Sequence, residues 1–301
     1  MNINIFGLMI QADIPIYVVS EPGDGKTEFS RAVGRALGFK SYRELNLNPK
    51  NKDEQVRQLF HTEILSAADP TDIGGVLRED EDKRYVARRP LKWLYDACMV
   101  PTLVFLDELP LAPRANLAPA LRMINEREAG DNILHPGTRF LAAGNPEEFT
   151  GVGLTPQLAN RFAHVEFDRL VSLVQWRQGL VTGFPTPELP RLPDTWRSLI
   201  PKHEALIGLY AGTAPTEMFR KPGDGKSIDR LGGAWPSRRT WTMSARASAA
   251  CEAGGQDDAT AIGSLVGDGP ALPYVGWRES QDLLTADEFF KNPERAKLKR
   301  G

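Results

Sequence analysis

Residues 20–27 form the segment best suited to chemistry, and they read Ser-Glu-Pro-Gly-Asp-Gly-Lys-Thr. An apolar run at 14–19 stands directly before this segment, and a helical pattern at 27–37 follows it. Backbone N–H groups of a glycine-rich turn and of an open helix end point at one place, where a polyphosphate fits. The sequence therefore predicts a phosphate-binding loop, in which Lys26 reaches the terminal phosphates and Thr27 offers its hydroxyl to Mg²⁺. The predicted loop consists of Glu21, Pro22, Gly23, Asp24, Gly25, Lys26 and Thr27.

Two further observations refine this prediction. The general pattern has Gly five positions before Gly25, and this chain has Ser20 there, which is small and tolerates turns. A near copy of the loop, Lys-Pro-Gly-Asp-Gly-Lys-Ser, occurs at 221–227. It follows no apolar strand pattern and precedes no amphipathic helix pattern, so its backbone cannot form the anion-binding turn. We predict a surface loop at 221–227.

Two carboxylates follow the apolar run 102–106, namely Asp107 and Glu108. Ligands of open α/β sheets bind at the carboxyl ends of the strands, so this position suits a catalytic pair. Asp107 would hold Mg²⁺, directly or through water. Glu108 would orient and polarise a water molecule for attack on a γ-phosphate.

Asn145 and Arg161 are weaker candidates. Asn145 follows the apolar run 140–143, where its amide could hold the attacking water or the γ-phosphate, although an ordinary Asn-Pro turn is the alternative. Arg161 stands near the end of a short helical pattern and could stabilise charge on a nucleotide of a neighbouring subunit. An ordinary surface arginine is the alternative there.

The elements that must position these residues follow from the pattern of apolar residues. Short apolar runs alternate with helical patterns in the first half of the chain, which is typical of a parallel α/β sheet. Strands are predicted at 15–19, 62–65, 102–106, 140–143 and 164–167, and helices at 27–37, 91–98, 117–127 and 156–162. Beyond these the strand patterns fade, and helices are predicted at 170–180, 195–209, 239–253 and 285–290. We predict a three-layer α/β core of the P-loop type over 1–168 and a smaller helical lid domain, with a C-terminal extension, over 169–301.

Composition excludes several other classes. The 301 residues are 41% apolar and 25% charged, which are ordinary values for a globular protein. A formal net charge of −2 provides no overall attraction to nucleic acid or to anionic membranes. Cys98 and Cys251 are too few for a disulfide framework and show no metal-ligand spacing. Because neither a signal-peptide pattern nor a long apolar run is evident, we predict a cytoplasmic protein with no membrane partner.

The order of the motifs resembles the AAA+ ATPases, and within them the MoxR-like and dynein-related branch. The resemblance covers about residues 14–245 and depends on the segments 20–27, 69–75, 103–109, 142–146, 158–162 and 235–241. By this resemblance Lys26 and Thr27 belong to the Walker A motif and Asp107 and Glu108 to the Walker B motif. The remaining motif residues are Asn145 as sensor 1, Arg161 as the arginine finger and Arg239 as sensor 2.

The sensor 2 position differs from the family pattern. Relatives usually carry Ser-Pro-Arg where this chain has Ser237-Arg238-Arg239. Matching by position makes Arg239 the sensor and puts Arg238 in place of the proline. Which of the two arginines acts as the lid sensor stays open.

The resemblance implies ATP and Mg²⁺ as ligands, ATP hydrolysis, and a homo-oligomer in the form of a hexameric ring. The nucleotide then lies between the core of one subunit and the arginine finger of the next. Many MoxR-like proteins remodel a protein client beside a partner that has a von Willebrand factor A domain. In this branch two inserts project from the core, and 69–88 and 130–137 match them. Either insert could contact substrate or be a plain solvated loop.

Three functions are compatible with these features. The favoured one is an ATP-driven, chaperone-like remodeller of a protein client. A nucleic-acid-directed motor or loader is the alternative, which the near-neutral charge disfavours and Arg84, Arg88 and Arg89 favour. The third is an assembly adaptor that binds ATP without turning it over.

Overall fold

The computed structural model describes residues 1–45, 57–79, 82–219 and 232–280. Its strands are β1 (Ile16–Val19), β2 (Leu59–Ile64), β3 (Val76–Glu79), β4 (Val86–Arg89), β5 (Thr102–Asp107), β6 (Glu128–Ala129), β7 (Asn132–Ile133), β8 (Arg139–Gly144) and β9 (Ala163–Glu166). Its helices are α1 (Ile3–Gln11), α2 (Lys26–Ala36), α3 (Pro70–Gly74), α4 (Lys92–Met99), α5 (Arg114–Glu126), α6 (Glu147–Thr150), α7 (Pro156–Ala159), α8 (Leu173–Thr182), α9 (Ile200–Thr213), α10 (Pro215–Met218), α11 (Arg238–Ala253), α12 (Ala259–Val266) and α13 (Asp268–Ser280). The predicted loop at 221–227 and the predicted helix at 285–290 lie outside the described residues.

Five strands form one sheet in the order β2-β5-β8-β1-β9, and every neighbouring pair is parallel. Because parallel strands end at the same edge, the residues that follow β1, β5 and β8 meet there. Four of the five predicted strands are observed within one or two residues of their predicted ends. The exception is the strand predicted at 62–65, which begins at Leu59. Strand β2 lies at the edge of the sheet, where polar residues are tolerated. Its polar residues, including His61 and Glu63, interrupt the apolar run in the sequence.

Both faces of the sheet are buried, which makes the core three layers thick. Leu103 and Phe105 of β5 belong to one apolar cluster, together with Phe6 of α1. The alternating residues Val104 and Leu106 belong to a second cluster with helices α4 and α5. Successive side chains of a strand point to opposite faces, so an unbroken apolar run indicates a strand covered on both sides. The predicted α/β class is confirmed.

Helix α1 was not expected from the sequence. Most of its residues are apolar, and the unbroken run from Ile5 to Ile10 is buried, so the sequence gives only a weak sign of an exposed face. Such a helix belongs inside a protein, and α1 packs beneath α11 and α12. The Asn2 side chain begins the helix by accepting a hydrogen bond from the backbone N–H of Ile5, at 2.9 Å. Helices α12 and α13 were likewise absent from the predictions.

Other predicted elements differ in extent. The helices predicted at 27–37, 91–98, 117–127, 170–180 and 239–253 are observed with ends shifted by at most three residues. The helix predicted at 156–162 ends at Ala159, and the one predicted at 195–209 divides into a 3₁₀ turn and α9. Segment 69–75, one of those that carry the family resemblance, contains the short helix α3, which a capping box on Asp69 begins.

Two hairpins project from the core where the inserts were predicted. Strands β3 and β4 pair antiparallel, and so do β6 and β7. The hairpins contact each other, since the backbone N–H of Arg88 donates to Asp131 at 2.7 Å. Leu77, Tyr85 and Ile133 are exposed on them.

Helices α8 to α13 follow the sheet. Helix α11 packs against α9, α12 and α1, and α12 packs against β9. The boundary predicted between residues 168 and 169 stays a prediction. Within the described ranges, no helix is both long enough and apolar enough to cross a membrane.

Candidate functional site

The predicted phosphate-binding loop joins β1 to α2, which is the context that an anion-binding turn needs. Gly23 and Gly25 have φ angles of 94° and 90°, a left-handed conformation in which a side chain would be strained. Gly25 is the residue before the first turn of α2, so the free N–H groups of that helix end face the turn. The local fold of the loop therefore follows from its glycines and from the strand and helix on either side.

The Lys26 ammonium group lies inside the loop and contacts oxygen atoms of two chain segments. It donates to the backbone oxygens of Ser20 and Glu21 at 2.9 and 3.0 Å, and to the Ser20 hydroxyl at 3.0 Å. It also donates to Oδ1 of Asn145 at 2.7 Å. Ser20, which departs from the general pattern, is 7% exposed and supplies two of these contacts. The Ser20 hydroxyl thus gives Lys26 a hydrogen bond that a glycine at this position could not provide.

Burial lowers the pKa of Lys26, and the nearby Asp24 and Asp107 oppose that shift. Burial penalises the charged form of an amine, and a bound anion relieves the penalty. The oxygens around Lys26 come mainly from neutral groups, so its charge is available to a phosphate.

The two residues predicted to hold Mg²⁺ lie side by side. The Thr27 hydroxyl donates to Oδ2 of Asp107 at 2.8 Å. The second carboxylate oxygen of Asp107 accepts the backbone N–H of Glu108 at 3.0 Å, which fixes the orientation of the carboxylate. One hydroxyl and one carboxylate oxygen are donors of the kind that Mg²⁺ prefers, with water and substrate phosphates as its other ligands. The residues present therefore fit the metal.

Glu108 lies just beyond β5 in a left-handed conformation, with φ 55° and ψ 35°. Such a conformation costs a non-glycine residue about 1–3 kcal/mol and is concentrated at functional sites. Its carboxylate accepts a hydrogen bond from the hydroxyl of Ser66, which follows β2. Ser66 was not predicted as a site residue. It is a polar residue just after a predicted strand, but this position points to the site only when β2 is known to lie beside β5.

These residues line a cleft of about 210 Å³ at the carboxyl ends of the strands. That volume is below the roughly 300–1,000 Å³ typical of pockets that enclose a whole ligand, so it matches part of a nucleotide, such as its phosphates. Among the predicted residues, those that line the cleft are Pro22, Gly23, Lys26, Thr27, Asp107, Glu108 and Asn145. Glu21, Asp24 and Gly25 belong to the loop without lining the cleft. The sequence analysis missed Pro110, Leu111, Gly144 and Thr150, which also line it.

Arg161 and Arg239 lie close enough for their charges to interact, and neither lines the cleft. Arg161 donates to Asn125 at 3.0 Å and to the backbone oxygen of Gln157. Burial, and after it the positive charge of Arg239, lowers the pKa of Arg161. Arg238, the other possible lid sensor, lies 5.8 Å over the ring of Phe219. The structure thus brings the two predicted arginines together with each other and not with the phosphate loop of their own chain.

A hydrogen-bond network joins the segment that carries Arg161 to the helix that carries Arg239. The Ser237 hydroxyl donates to Oδ1 of Asn160 at 2.7 Å, and the Asn160 amide donates to the backbone oxygen of Trp235 at 3.2 Å. Asn160 is 6% exposed, so both bonds are protected from water. This network, which we call the Asn160 network, holds the start of α11 against the core.

We expect Ser237→Ala to destabilise the protein more than Ser172→Ala does. Both serines begin a helix with a capping box, and loss of such a cap costs about 1 kcal/mol. Only Ser237 also bonds to Asn160, and that bond contributes about 1 kcal/mol more. Urea unfolding of the two variants measures the difference. Equal losses of unfolding free energy would show that the bond between Ser237 and Asn160 contributes nothing.

Comparison with known proteins identifies no family. No family model matches the sequence, and no curated protein matches it. Among solved structures, a candidate ATPase from Cytophaga hutchinsonii aligns over 85% of this chain and 75% of its own, with 16% sequence identity and a TM-score of 0.47. At that identity and score, the likeness supports no statement about the activity of this chain.

Proposed function

We propose that this protein binds ATP with Mg²⁺ in the cleft and hydrolyses it to ADP and phosphate. The observation that carries the proposal is a pair of hydrogen bonds, Lys26 to Asn145 and Thr27 to Asp107. These two bonds connect the glycine-rich loop with the carboxylate at the end of β5 and with the amide just after β8, all at one edge of the sheet. Phosphoryl transfer needs this combination of a phosphate cradle, a metal ligand and a residue that orients water.

Each residue has a role that its position allows. The loop N–H groups and Lys26 bind the phosphates, and Thr27 and Asp107 would hold Mg²⁺. The metal, when bound, neutralises charge on the phosphate oxygens. Glu108 takes a proton from a water molecule whose oxygen attacks the γ-phosphorus, and ADP leaves as the bond to the bridging oxygen breaks. The Asn145 amide steadies the γ-phosphate.

The proposal is tested by comparing Lys26→Ala with the wild-type protein in ATP binding and in phosphate release. We expect Lys26→Ala to abolish both, because the loop loses its charge for the terminal phosphates. Lys40→Ala removes an exposed ammonium group just after α2 and serves as the matched control, with ATP binding and turnover unchanged. Undiminished ATP binding by a folded Lys26→Ala protein would contradict the proposed function.

We further propose a homo-oligomeric ring, hexameric as in the AAA+ proteins that the sequence resembles. Arg161 and Arg239 support it, because two guanidinium groups whose charges interact, and which lie away from their own cleft, suit a phosphate of the next subunit. A head-to-tail interface of this kind forms a ring when the rotation between successive subunits closes. Helix α8 also offers an apolar surface for such contacts, since five of its side chains are between 46% and 87% exposed, namely Leu173, Val174, Trp176, Leu180 and Val181.

We propose that the ring uses ATP hydrolysis to remodel a protein client in a chaperone-like manner. A protein with a von Willebrand factor A domain is the proposed partner. Exposed apolar residues on the hairpins, among them Tyr85 and Ile133, support contact with protein. The alternative, a nucleic-acid motor, is favoured by Arg78, Arg88 and Arg89, which are exposed on the hairpin of β3 and β4. Salt-dependent stimulation of ATP turnover by DNA would identify the alternative.

A further inference from the structure

A second and larger cavity lies at the opposite edge of the sheet. Its volume is about 330 Å³. Pro101, just before β5, lines it, as do Arg139 at the start of β8 and Gln11 at the end of α1. Arg139 begins β8 and Asn145 directly follows it, so six residue steps of strand separate them by about 20 Å. The cavity is therefore distinct from the cleft at the carboxyl ends of the strands.

Positive charge dominates this cavity, which we call the basic cavity. Arg139, Arg191 and Arg197 line it, and Asp194 is the only acidic residue among the described residues that line it. Behind Arg139 lie Arg127 and Arg246, with Asp13 as their shared carboxylate. The described groups around the basic cavity thus comprise five guanidinium groups and two carboxylates.

Arg139 is held in place but only weakly neutralised. Its side chain is 15% exposed and lies 3.7 Å from Asp13, which also pairs with Arg127 and Arg246. Its other bonds go to the backbone oxygens of Pro136 and Thr138, at 3.0 and 2.8 Å.

Burial lowers the pKa of Arg139. The nearby Arg127, Arg246 and Arg197 lower it further, against the opposing effect of Asp13. An anion in the basic cavity would offset both the burial and the repulsion.

Arg191 and Arg197 stand exposed at the rim of the basic cavity on a segment that is firmly anchored. The Gln11 amide donates to the backbone oxygen of Pro190 at 2.9 Å and accepts the N–H of Leu192 at 3.0 Å. Trp196 is 4% exposed, and the Arg197 guanidinium lies 5.0 Å over its ring. In the described part of the chain, neither rim arginine makes an ion pair. Anchored arginines that make no ion pair are ready to bind an external anion.

We propose that the basic cavity binds a small multivalent oxyanion, one that carries phosphate or carboxylate groups. Guanidinium groups pair with both kinds of oxyanion in a two-pronged manner, and three of them around one cavity favour a ligand with more than one negative group. A volume of about 330 Å³ is at the lower end of the range for small-molecule pockets, so the ligand is a compact molecule and not a polymer.

Calorimetric titration of the full-length chain tests this proposal, with inorganic pyrophosphate in one arm and citrate in the other. The Lys26→Ala background keeps the phosphate-binding loop from contributing, and the wild-type chain is titrated in parallel. We expect saturable binding at one site per chain. Adding Arg191→Gln and Arg197→Gln together should weaken it about tenfold or more, since both variants remove charged hydrogen-bond donors to the anion. Tighter binding of pyrophosphate indicates a phosphorylated ligand, and tighter binding of citrate indicates a polycarboxylate.

A matched double variant provides the control. Arg43→Gln with Arg177→Gln removes the same amount of charge from exposed positions outside the basic cavity, and it should bind like the parent. Unchanged unfolding midpoints show that both double variants are folded. The proposal is overturned if neither probe saturates at millimolar concentration, or if the two double variants bind equally well. It is also overturned if only a long polyanion, such as single-stranded DNA, binds at Arg191 and Arg197.

Discussion

Replacing Glu108 with Gln is expected to lower ATP turnover about a thousandfold while ATP binding is retained. The amide keeps the size of the side chain but cannot take a proton from the attacking water. The phosphate contacts of Lys26 and the predicted metal ligands, Thr27 and Asp107, are untouched by the change. Phosphate release and equilibrium binding of ATP, measured on the same preparation, separate the two effects.

Glu204→Gln is the matched control for this variant. Glu204 is exposed on α9, away from the cleft, so the substitution should leave both turnover and binding unchanged. If Glu108→Gln hydrolysed ATP at the wild-type rate, Glu108 would not be the residue that activates water. If it failed to bind ATP, Glu108 would have a role in building the cleft.

Replacing Arg161 with Ala is expected to reduce turnover about a thousandfold as well, for a different reason. An arginine that stabilises the transferred phosphoryl group from outside contributes about 10³–10⁵ to the rate. Because Arg161 does not line the cleft of its own chain, ATP binding by an isolated subunit should be unaffected.

Arg43→Ala removes an exposed guanidinium group elsewhere and should retain full turnover. A change in unfolding free energy for Arg161→Ala would come from its bonds to Asn125 and to the backbone oxygen of Gln157, so stability is measured beside activity. If Arg161→Ala kept full ATP turnover, Arg161 would be an ordinary surface residue. The proposal of a homo-oligomeric ring would then lose its main support.

The phosphate-binding loop could be predicted because three local signals coincide there. Strand β1, the glycines of the turn and the amphipathic helix α2 are each evident in sequence and adjacent along the chain. Asp107 and Asn145 could be predicted to approach the loop because parallel strands end at one edge of the sheet. The observed bonds of Lys26 and Thr27 connect those segments.

The residues that escaped prediction depend on contacts between distant parts of the chain. The bond of Ser66 to Glu108 requires β2 to lie beside β5, and the pattern of apolar residues does not specify strand order. The proximity of Arg161 to Arg239 requires α11 to pack on the core through the Asn160 network. Helix α1 escaped because a helix that is buried over most of its length has little polar face to reveal its period.

The central claim is that two subunits complete one site. It is tested most directly by measuring the ATP turnover of a mixture of two inactive variants. Glu108→Gln lacks the residue that activates water, and Arg161→Ala lacks the arginine that is offered to the neighbour. In randomly mixed rings, half of the sites carry Glu108 and half of those face an intact Arg161. The account predicts recovery of about one quarter of the wild-type turnover from an equal mixture. A mixture no more active than the average of its two components would contradict it.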